Sequence, residues 1–472
     1  MRLRRRHTIS IILVLVLAAL TVWAAKNWDK WFGEPDEPAY SASPVPHRLL
    51  LTFGDSTSLS RNVSWQCGDS VVDSWVELAP LQLSQGGENS SPRGGRVEAK
   101  GEVFASRNGR AAYYVARLRQ LRPNTTYTYR VVSGGKASEW HTFSTDAARP
   151  ERFECLYVGD VQDTIGGAAA QLLSDAVAHH PSARFLICGG DLTERPIDKY
   201  WGETFRDLGT LAHSLPIVAA TGNHDYLKRV PRLLERRFPL VFSYFLDSAV
   251  DDNMVYTFCY GSAQFFVLDT EREAPFLWAQ RQWLDEQLRQ SHARWKIVIA
   301  HHPFYSVKGD TNNLIPRWMF DDLLREHGVH LVLQAHEHAY ARRTTHVEDS
   351  DGTTTPVYTV SHCSPKCYRI EFDEERFDRF GISSRYYQTV SISPDTLVMA
   401  AYDALSHQLY DSLLIVRPAA PQPRVIDRGT SLPENMSFTR NPSGRKDRAY
   451  ADRIRQHVER RRAKGLPVIT GE

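Results

Sequence analysis

Five short apolar runs in the middle of the chain each end at a residue type that can bind a metal ion. Each run has the length and composition of a buried strand. The residues at their ends are, in chain order, Asp160, Asp191, Asn223, His301 and the pair His336 and His338. Carboxylate, amide and imidazole ligands in one set suit iron, manganese or zinc, whereas harder cations prefer oxygen ligands alone. The pattern therefore predicts a metal centre assembled from strand ends.

Asp191 is the natural centre of such a site, because it follows the apolar run 185–187 and a Gly-Gly pair that lets the backbone turn sharply. Hydrolytic centres can hold two ions about 3.5 to 4 Å apart, and two dications at that distance repel each other strongly unless an anion lies between them. We expect Asp191 to be the shared carboxylate, with a bridging hydroxide as its counterpart. Such a hydroxide would attack phosphorus in line with the leaving oxygen.

The elements that must position these residues alternate along the chain. From residue 151 to 417, strand-like runs alternate with helical segments, which we predict at 167–179, 200–213, 277–290 and 317–327. This alternation indicates an α/β sheet covered by helices, in which ligands gather at the carboxyl ends of the strands. Further strand-like runs at 387–392, 396–402 and 412–416 are predicted to complete a second sheet.

The segment before these elements has a different pattern. Residues 48–147 contain short alternating apolar runs separated by Gly, Ser and Asn, which is typical of an all-β sandwich. The stretch 121–127, which ends at Tyr127, resembles the tyrosine corner of fibronectin type III modules. We therefore predict a fibronectin-like sandwich ahead of the α/β domain.

The motifs Gly-Asp, Gly-Asp, Gly-Asn-His-Asp, a strand-end His and Ala-His-x-His together resemble the calcineurin-like metallophosphoesterase superfamily. With the sandwich ahead of them, the chain most resembles the purple acid phosphatases over roughly residues 48–416. The resemblance implies a four-layer α/β/β/α catalytic domain that acts on a phosphoester substrate. It also implies two metal ions, whose identity as Fe, Mn or Zn stays open.

The resemblance assigns a role to each motif residue by position. The first metal would be held by Asp160 and His338, the second by Asn223, His301 and His336, with Asp191 as the bridge. Asn223 and the adjacent His224 would also contact the substrate phosphate, and His224 would act as a catalytic residue.

Two positions near the ligands depart from the family. Glu194 stands where purple acid phosphatases have a tyrosine that binds ferric iron, so we expect no tyrosinate charge-transfer band. Its carboxylate could ligate the first metal, but we prefer a role in which it hydrogen-bonds and orients His224. Gln162 stands where many members have a metal-binding histidine. Its amide oxygen is a weaker ligand that could complete the first site, and a turn role is nearly as plausible.

The leaving-group region departs as well. Where family members place histidines beyond the strand-end His301, this chain has Asp310 and Thr311, with Lys308 and Asn312 beside them. For each of these residues we favour a loop-surface role over a catalytic one. His302 directly follows the ligand, and we expect it to point to the other side of the strand end as a packed or hydrogen-bonded histidine.

The termini and the composition bound the remaining possibilities. Arg2, Arg4, Arg5 and Arg6 precede an apolar stretch at 9–25, which predicts a signal anchor or signal peptide within residues 1–32. We prefer the anchor because Trp23, Trp28, Trp31 and Phe32 resemble an interfacial aromatic cluster. The chain would then be extracytoplasmic, either membrane-anchored or secreted to the periplasm or beyond.

The rest of the domain plan follows from composition. We interpret residues 33–47 as a Pro-rich linker, 48–147 as the sandwich, 151–417 as the catalytic domain, and 418–472 as a basic, flexible tail with one solvated helix near 450–464. A net charge of +2 over 472 residues argues against a nucleic-acid partner. Six cysteines are too few for a disulfide scaffold. We expect Cys155 and Cys188 to be buried apolar residues, and Cys363 and Cys367 to be the best disulfide candidates.

The favoured function is metal-dependent hydrolysis of phosphate monoesters. A phosphodiesterase or nucleotide pyrophosphatase with the same metal core is the second interpretation. A catalytically degenerate surface binding protein is the third, and the complete set of predicted ligands argues against it.

Overall fold

A computed structural model gives the arrangement of these elements. It describes residues 2–32, 36–81, 95–163, 166–229, 231–244, 250, 254–309, 313–346, 353–382, 384–417, 423–439 and 444–471.

Strands near the N-terminus of the described chain form an all-β sandwich. They are β1 His47–Phe53, β2 Arg61–Gln66, β3 Ser74–Pro80, β4 Gly95–Ala105, β5 Arg110–Leu118, β6 Thr126–Ser133, β7 Lys136–Ala137 and β8 His141–Ser144. β4 pairs with β3 through residues 95–98 and with β5 through residues 99–105, so it joins the two halves of the sandwich. The hydroxyl of Tyr127 accepts a hydrogen bond from the backbone N–H of Arg122 at 2.7 Å, which is the contact expected of a tyrosine corner.

The helices of the chain lie on either side of the sandwich segment in sequence. They are α1 Arg2–Phe32, α2 Ala168–His179, α3 Asp198–Leu208, α4 Leu211–Ser214, α5 Arg237–Val241, α6 Ala274–Gln290, α7 Leu314–Glu326 and α8 Arg445–Ala463, with a 3₁₀ helix at Asn223–Asp225. The four predicted helical segments are therefore confirmed with shifts of a few residues. The segment predicted at 200–213 is divided at Gly209, which lies at φ 52° and ends α3.

The remaining strands belong mainly to two large sheets. They are β9 Phe153–Val158, β10 Ala183–Cys188, β11 Ile217–Ala219, β12 Tyr226–Leu227, β13 Leu233–Leu234, β14 Tyr256–Tyr260, β15 Ala263–Val267, β16 Trp295–Ile299, β17 Leu331–Gln334, β18 Tyr340–His346, β19 Thr353–Val360, β20 Arg379–Gly381, β21 Tyr386–Ile392, β22 Thr396–Asp403, β23 Leu409–Val416, β24 Arg424–Asp427, β25 Glu434–Asn435 and β26 Val468–Ile469. The first sheet has the order β11-β10-β9-β21-β22-β23-β24, and the second has the order β14-β15-β16-β17-β19-β18-β20.

The pairing of β21, β22 and β23 differs from the prediction. The sequence predicts that these strands complete a second sheet, but β21 pairs antiparallel with β9, so they extend the first sheet instead. The apolar pattern of a strand shows that the strand is buried, and it does not say which neighbour the strand will pair with. The second sheet is built from β14 to β20.

Alternate residues of the second sheet face two different cores. Phe265, Ile297 and Leu331 belong to the apolar cluster that also contains the first sheet and α2. Phe266, Val298 and Val332 belong to a separate cluster with residues of α6 and α7. Because successive side chains of a strand point to opposite faces, the order of layers is helices, sheet, sheet, helices. The predicted α/β/β/α class is confirmed.

The sandwich packs directly on the larger part of the chain. Leu50 and Phe53 of β1 share a buried cluster with the first sheet, and the ring of Phe53 lies 5.3 Å from that of Phe185. At the edge of this contact Arg48 forms an ion pair with Asp198 at 2.6 Å. The Tyr129 hydroxyl donates to the carbonyl of His213 at 2.7 Å.

Arg342 of β18 ties the two large sheets together. Its Nε lies 2.7 Å from Asp411 of β23, and its Nη2 lies 2.7 Å from Asp427 of β24. The side chains of Arg342 and Asp411 are almost completely buried, and the hydroxyl of Tyr340 donates to the same Asp411 oxygen at 2.7 Å. The positive charge of Arg342 in the second sheet is thus neutralised by the carboxylates of Asp411 and Asp427 in the first.

The helix predicted near the C-terminus is docked rather than solvated. Tyr450, Ile454 and Val458 of α8 are buried in the same cluster as α6 and α7. The buried His457 lies 2.8 Å from both Glu374 and Glu434. The sequence of α8 is rich in Arg and Lys, so its short apolar face was not recognised. Three or four apolar side chains on one side are enough to bury a helix face.

The docking of α8 should depend on pH through Glu374. Although burial acts in the opposite direction, hydrogen bonds from Lys464, Arg460 and His457 lower the pKa of Glu374 to about 2 from 4.5. A carboxylate with a depressed pKa stabilises the fold above its unfolded pKa and loses this effect as the pH falls through the folded one. We therefore expect Glu374→Gln to destabilise the protein at pH 6, and its difference from the parent to shrink between about pH 4.5 and pH 2.

Urea unfolding of the two proteins across this range of pH measures the effect. Glu375→Gln is the matched control, since Glu375 is an exposed neighbour on the same turn. A difference between Glu374→Gln and the parent that stays constant with pH would contradict the assigned ion pairs.

Two predictions about the termini and the cysteines are not supported. Helix α1 covers the apolar stretch of the predicted anchor, but among the residues that the structure describes no helix is long and apolar enough to cross a membrane. The six cysteines are free, so the disulfide predicted between Cys363 and Cys367 is wrong. Cys155 and Cys188 are buried, as predicted. Export of the chain stays a prediction.

Candidate metal centre

The predicted ligands come together where parallel strands of the two sheets end. β9, β10 and β11 run parallel in the first sheet, and β15, β16 and β17 run parallel in the second. Asp160 and Asp191 follow β9 and β10, Asn223 follows β11, His301 follows β16, and His336 and His338 follow β17. Because the carboxyl ends of parallel strands meet at one edge of a sheet, the two sheets deliver these side chains to a common place.

One group of side chains surrounds His301 and His336. Single ligand atoms of Asp191, His301 and His336 all lie within 4.8 Å of one another. The Oδ1 atom of Asn223 lies 2.8 Å from Nδ1 of His336 and 3.3 Å from Nε2 of His301. Four atoms that can each donate a lone pair thus converge on one point, and these are the residues predicted for the second metal together with the bridge.

A second group lies on the other side of Asp191. The Nε2 atom of Gln162 lies 3.2 Å from Nε2 of His338 and 3.4 Å from Oδ2 of Asp191. Asp160 is joined to the first group by the backbone N–H of His336, which donates to its Oδ1 at 3.1 Å. Asp191 therefore touches both groups, through His301 at 3.4 Å on one side and Gln162 on the other.

Buried atoms without partners indicate that these residues fit a cation. Oδ2 of Asp160, Oε1 of Gln162 and Nδ1 of His338 are buried and have no hydrogen-bond partner among the described residues. A buried acceptor without a partner costs free energy on the order of 1–3 kcal/mol, so native proteins rarely leave such atoms unpaired. A cation bound among these residues would supply a partner for acceptors of this kind.

The electrostatics of Asp160 and His338 agree with this fit. Burial raises the pKa of Asp160 to about 8, with the charge of Asp191 acting in the same direction and that of His301 against it. Burial likewise lowers the pKa of His338 to about 2. A neighbouring cation favours an ionised carboxylate and a neutral imidazole. His338 is therefore already in the form that binds metal, and a cation would restore the charge of Asp160.

Four of the predicted ligands have an unusual backbone. Asp160, Asp191, His336 and His338 have φ angles of 49°, 52°, 72° and 42°. The left-handed region is uncommon for residues other than glycine, and such outliers concentrate at functional sites. Here the sharp turn after each strand places the side chain of the ligand over the end of the sheet.

Two glycines let the backbone approach the centre closely. Gly190 lies at φ 95°, and a Cβ atom there would meet Nδ1 of His301 at 2.6 Å. A Cβ atom on Gly222 would lie 2.3 Å from Oδ1 of Asp191. A larger residue at either position would therefore displace a predicted ligand.

Asp225 is a residue whose role the sequence did not reveal. Its Oδ2 accepts hydrogen bonds from the backbone N–H groups of Asp191 at 3.1 Å and Gly222 at 2.9 Å. The carboxylate is completely buried, and burial raises its pKa to about 8. Asp225 thus fixes the turn that presents Asp191. Its position at the end of the Gly-Asn-His-Asp motif is the sequence feature that could have indicated this role.

His224 is oriented by a different atom of Glu194 than predicted. Its Nδ1 hydrogen-bonds the backbone carbonyl of Glu194 at 2.6 Å, and its backbone N–H donates to Oδ1 of Asp191 at 2.8 Å. The carboxylate of Glu194 turns away to Lys366, whose Nζ lies 2.8 and 3.0 Å from its two oxygens. The orienting role assigned to the Glu194 side chain is therefore wrong, because the main chain already provides the acceptor.

His302 is hydrogen-bonded as expected, but it is not turned away from the centre. Its Nδ1 lies 3.0 Å from Oγ1 of Thr270 and its Nε2 lies 3.5 Å from Glu271. Its ring centroid lies 4.3 Å from that of His336, so it packs against a predicted ligand. Burial lowers the pKa of His302 to about 3, so it is neutral near pH 7. Asp310, Thr311 and Asn312 lie outside the described residues, whereas Lys308 is described and lies near the centre.

Two family models match parts of the chain. Residues 155–340 match the family model described as calcineurin-like phosphoesterase. Residues 46–145 match the model described as purple acid phosphatase, N-terminal domain. The first match contains all the predicted metal ligands.

Individual relatives are distant and longer than the matched region. Probable purple acid phosphatase 20 of Arabidopsis thaliana is 24% identical over 50% of this chain and 57% of its own length. An uncharacterized protein of Mycobacterium tuberculosis strain H37Rv is 25% identical over 64% of this chain and 63% of its own length. The chain thus spans less than two thirds of these relatives. A solved structure entitled "Structure of PhoD" covers 91% of this chain and 100% of its own, with a TM-score of 0.58 and 14% identity, and so shares the fold.

Proposed function

Because this chain carries a calcineurin-like phosphoesterase domain behind a purple acid phosphatase N-terminal domain, we propose that it is a metal-dependent phosphoesterase that binds two ions and hydrolyses phosphate monoesters. The observation that supports this most is the position of Asp191 between two groups of ligand atoms. A carboxylate shared in this way keeps two cations close without excessive repulsion.

The residues divide between two sites. Asp160, Gln162 and His338 would hold the first ion, and Asn223, His301 and His336 the second, with Asp191 common to both. When bound, the ions supply a water-derived nucleophile near neutral pH and neutralise charge on the phosphate. Their donor types suit Fe, Mn or Zn. Glu194 is not needed as a ligand, since Lys366 neutralises its carboxylate.

His224 would contact the substrate phosphate. With its Nδ1–H donated to the Glu194 carbonyl, the ring is held in one orientation, and its Nε2 has no partner among the described residues. In the protonated ring Nε2–H donates to a phosphate oxygen, and it stabilises negative charge that develops there during the reaction. Asn223 and His224 lie in the same 3₁₀ helix, so one element carries both a ligand of the second site and the residue that would contact phosphate.

Replacing His224 by alanine should slow hydrolysis of a phosphate monoester by about 10²- to 10³-fold, the effect of removing one donor that stabilises developing charge. The metal content should not change, because the ring is not a ligand. Steady-state kinetics and elemental analysis on the same sample measure both quantities. His292→Ala, at an exposed position, is the control. Loss of metal from His224→Ala would instead make His224 part of the metal site.

The proposal is tested by phosphate release from an aryl phosphate monoester. The full chain is stripped with a chelator, and Fe, Mn or Zn is then restored one at a time. Activity that returns with metal supports the proposed reaction. Hydrolysis of diesters or pyrophosphates alone would change the substrate class and keep the centre. If the protein binds no stoichiometric metal, the proposal that it is a metal-dependent phosphoesterase is wrong.

A further inference from the structure

Lys308 lies beside the metal centre on the loop that follows β16. Its Nζ is 4.5 Å from the centroid of the Tyr368 ring. The Tyr368 ring in turn lies 4.5 Å from the ring of His338. Lys308 and Tyr368, which we call the Lys308–Tyr368 pair, therefore reach from this loop to the first predicted metal site.

The ammonium group also acts on the second site. Burial lowers the pKa of both His302 and His336, and the positive charge of Lys308 is among the neighbouring charges that lower them further. Interactions between charges weaken with distance and with exposure to water. The charge of Lys308 is thus close enough to act on His302 and His336.

Lys308 differs from Lys366, the other lysine near the centre. Lys366 is neutralised by Glu194 at 2.8 Å. In the part of the chain that the structure describes, no carboxylate lies within ion-pair distance of Lys308, and its contact is with the face of Tyr368. A cation over an aromatic ring keeps its N–H donors available for an anion. The charge of Lys308 acts on the buried carboxylate of Glu337, but among the described residues Lys308 forms no direct ion pair, so its N–H donors stay available.

A buried carboxylate fixes the loop that carries Lys308. Glu337 stands between the predicted ligands His336 and His338, and its oxygens accept hydrogen bonds from Ser306 Oγ at 2.6 Å and from the backbone N–H of Val307 at 2.6 Å. Asn313, at the far end of the loop, donates to the same carboxylate at 3.2 Å. The position of Lys308 is thus set by the turn that holds two ligands, and little ordering is needed when an anion binds.

We propose that the Lys308–Tyr368 pair is a subsite for the phosphoryl group and makes the centre prefer dianionic phosphate monoesters to monoanionic diesters. The inference rests on the proposed function, and it names the group that selects the substrate class. A monoester carries one more negative charge on its non-bridging oxygens than a diester. An ammonium without a direct ion pair gains more from a dianion than from a monoanion, because the Coulomb energy grows with the product of the two charges.

The test compares two esters with the same leaving group, 4-nitrophenyl phosphate and bis(4-nitrophenyl) phosphate. In the metal-loaded full chain, Lys308→Met should lower kcat/KM for the monoester by about 10- to 100-fold, the effect of losing one charge-assisted hydrogen bond. The diester carries one negative charge instead of two, so it should lose about half as much free energy, or about 3- to 10-fold. Lys308→Arg keeps the charge and should retain most of the preference. Lys199→Met is the matched control, because Lys199 also stacks on a tyrosine, Tyr200, but is exposed on α3.

A parallel loss for both esters, or no loss for either, would overturn the subsite. A second measurement does not depend on turnover: calorimetry of inorganic phosphate binding to the metal-loaded protein. Weaker binding by at least about tenfold in Lys308→Met is expected, and unchanged binding would also overturn the inference. If the wild-type chain hydrolyses neither ester but binds phosphate through Lys308, the proposed reaction fails while the subsite stands.

Discussion

Asp191→Asn should remove at least one metal ion and slow hydrolysis by at least about 10³-fold. The substitution removes the charge and replaces Oδ2, which lies 3.4 Å from both Gln162 Nε2 and His301 Nε2, by an amide nitrogen of similar size. Oδ1 of asparagine can still accept the hydrogen bond from the backbone N–H of His224, and asparagine tolerates the φ angle of 52° found here. The fold should therefore survive while the shared negative charge disappears.

The charge matters because no other carboxylate among the described residues of the centre takes its place. Although burial acts against it, His301 and His224 hold the pKa of Asp191 below its ordinary value. Asp191 is thus the carboxylate of the centre that stays ionised before any cation arrives, whereas the pKa of Asp160 is raised. Without Asp191, two cations would face each other with no carboxylate shared between them.

Elemental analysis, activity and thermal unfolding of Asp191→Asn are measured together. Asp395→Asn, at an exposed carboxylate that pairs with Arg294 on the surface, is the control and should match the parent in all three. A variant that keeps two metal ions and most of the parent's activity would show that Asp191 does not bridge.

Arg342→Met should be the most destabilising of the substitutions considered, by about 3–5 kcal/mol. The methionine would leave the buried Asp411 with one cation, Arg379 at 3.6 Å, in place of two, and the hydroxyl of Tyr340 could not compensate for the loss. Removal of one partner from a buried ion pair is costly because the other charge stays desolvated. Since Arg342 lies on β18 and Asp411 on β23, the two sheets should lose their mutual contact at this edge.

Urea unfolding and the melting temperature measure this effect, and activity assayed well below the melting temperature separates stability from chemistry. Arg294→Met breaks a surface ion pair with Asp395, and it should cost less than about 1 kcal/mol. Equal effects of Arg294→Met and Arg342→Met would contradict the role assigned to the buried cluster. Replacing Arg342 and Asp411 together by apolar residues should recover part of the loss, because the fully buried carboxylate is then removed together with its main partner.

The residues of the centre were largely predictable because each is identified by a short stretch of sequence around it. Each predicted ligand follows an apolar run within a few residues, and a parallel sheet brings strand ends together whatever the details of its topology. Asp160, Asp191 and His301 therefore lie where the motifs indicated. Gln162 also lies against Asp191 and His338, although its residue type alone left a turn role nearly as plausible.

What the sequence missed depends on contacts between distant segments. The pairing of β21 with β9 joins residues more than two hundred positions apart, and no local pattern specifies it. The carbonyl of Glu194 orients His224, yet sequence motifs describe side chains and are silent about the main chain. Glu337 occupies the unspecified position of the Ala-His-x-His motif, but its carboxylate accepts a hydrogen bond from the loop that carries Lys308. The apolar face of α8 was too small to stand out from its charges.

The left-handed backbone of Asp160, Asp191, His336 and His338 has a consequence for the evolution of the site. Such a conformation costs a residue with a side chain on the order of 1–3 kcal/mol, and glycine is free of that cost. Once selection for metal binding is relaxed, a glycine at any of these four positions would relieve the backbone strain while it removes a ligand. Decay of the centre in a lineage is therefore expected to begin at these turns. His301, which has no such strain to relieve, should be among the last ligands to be lost.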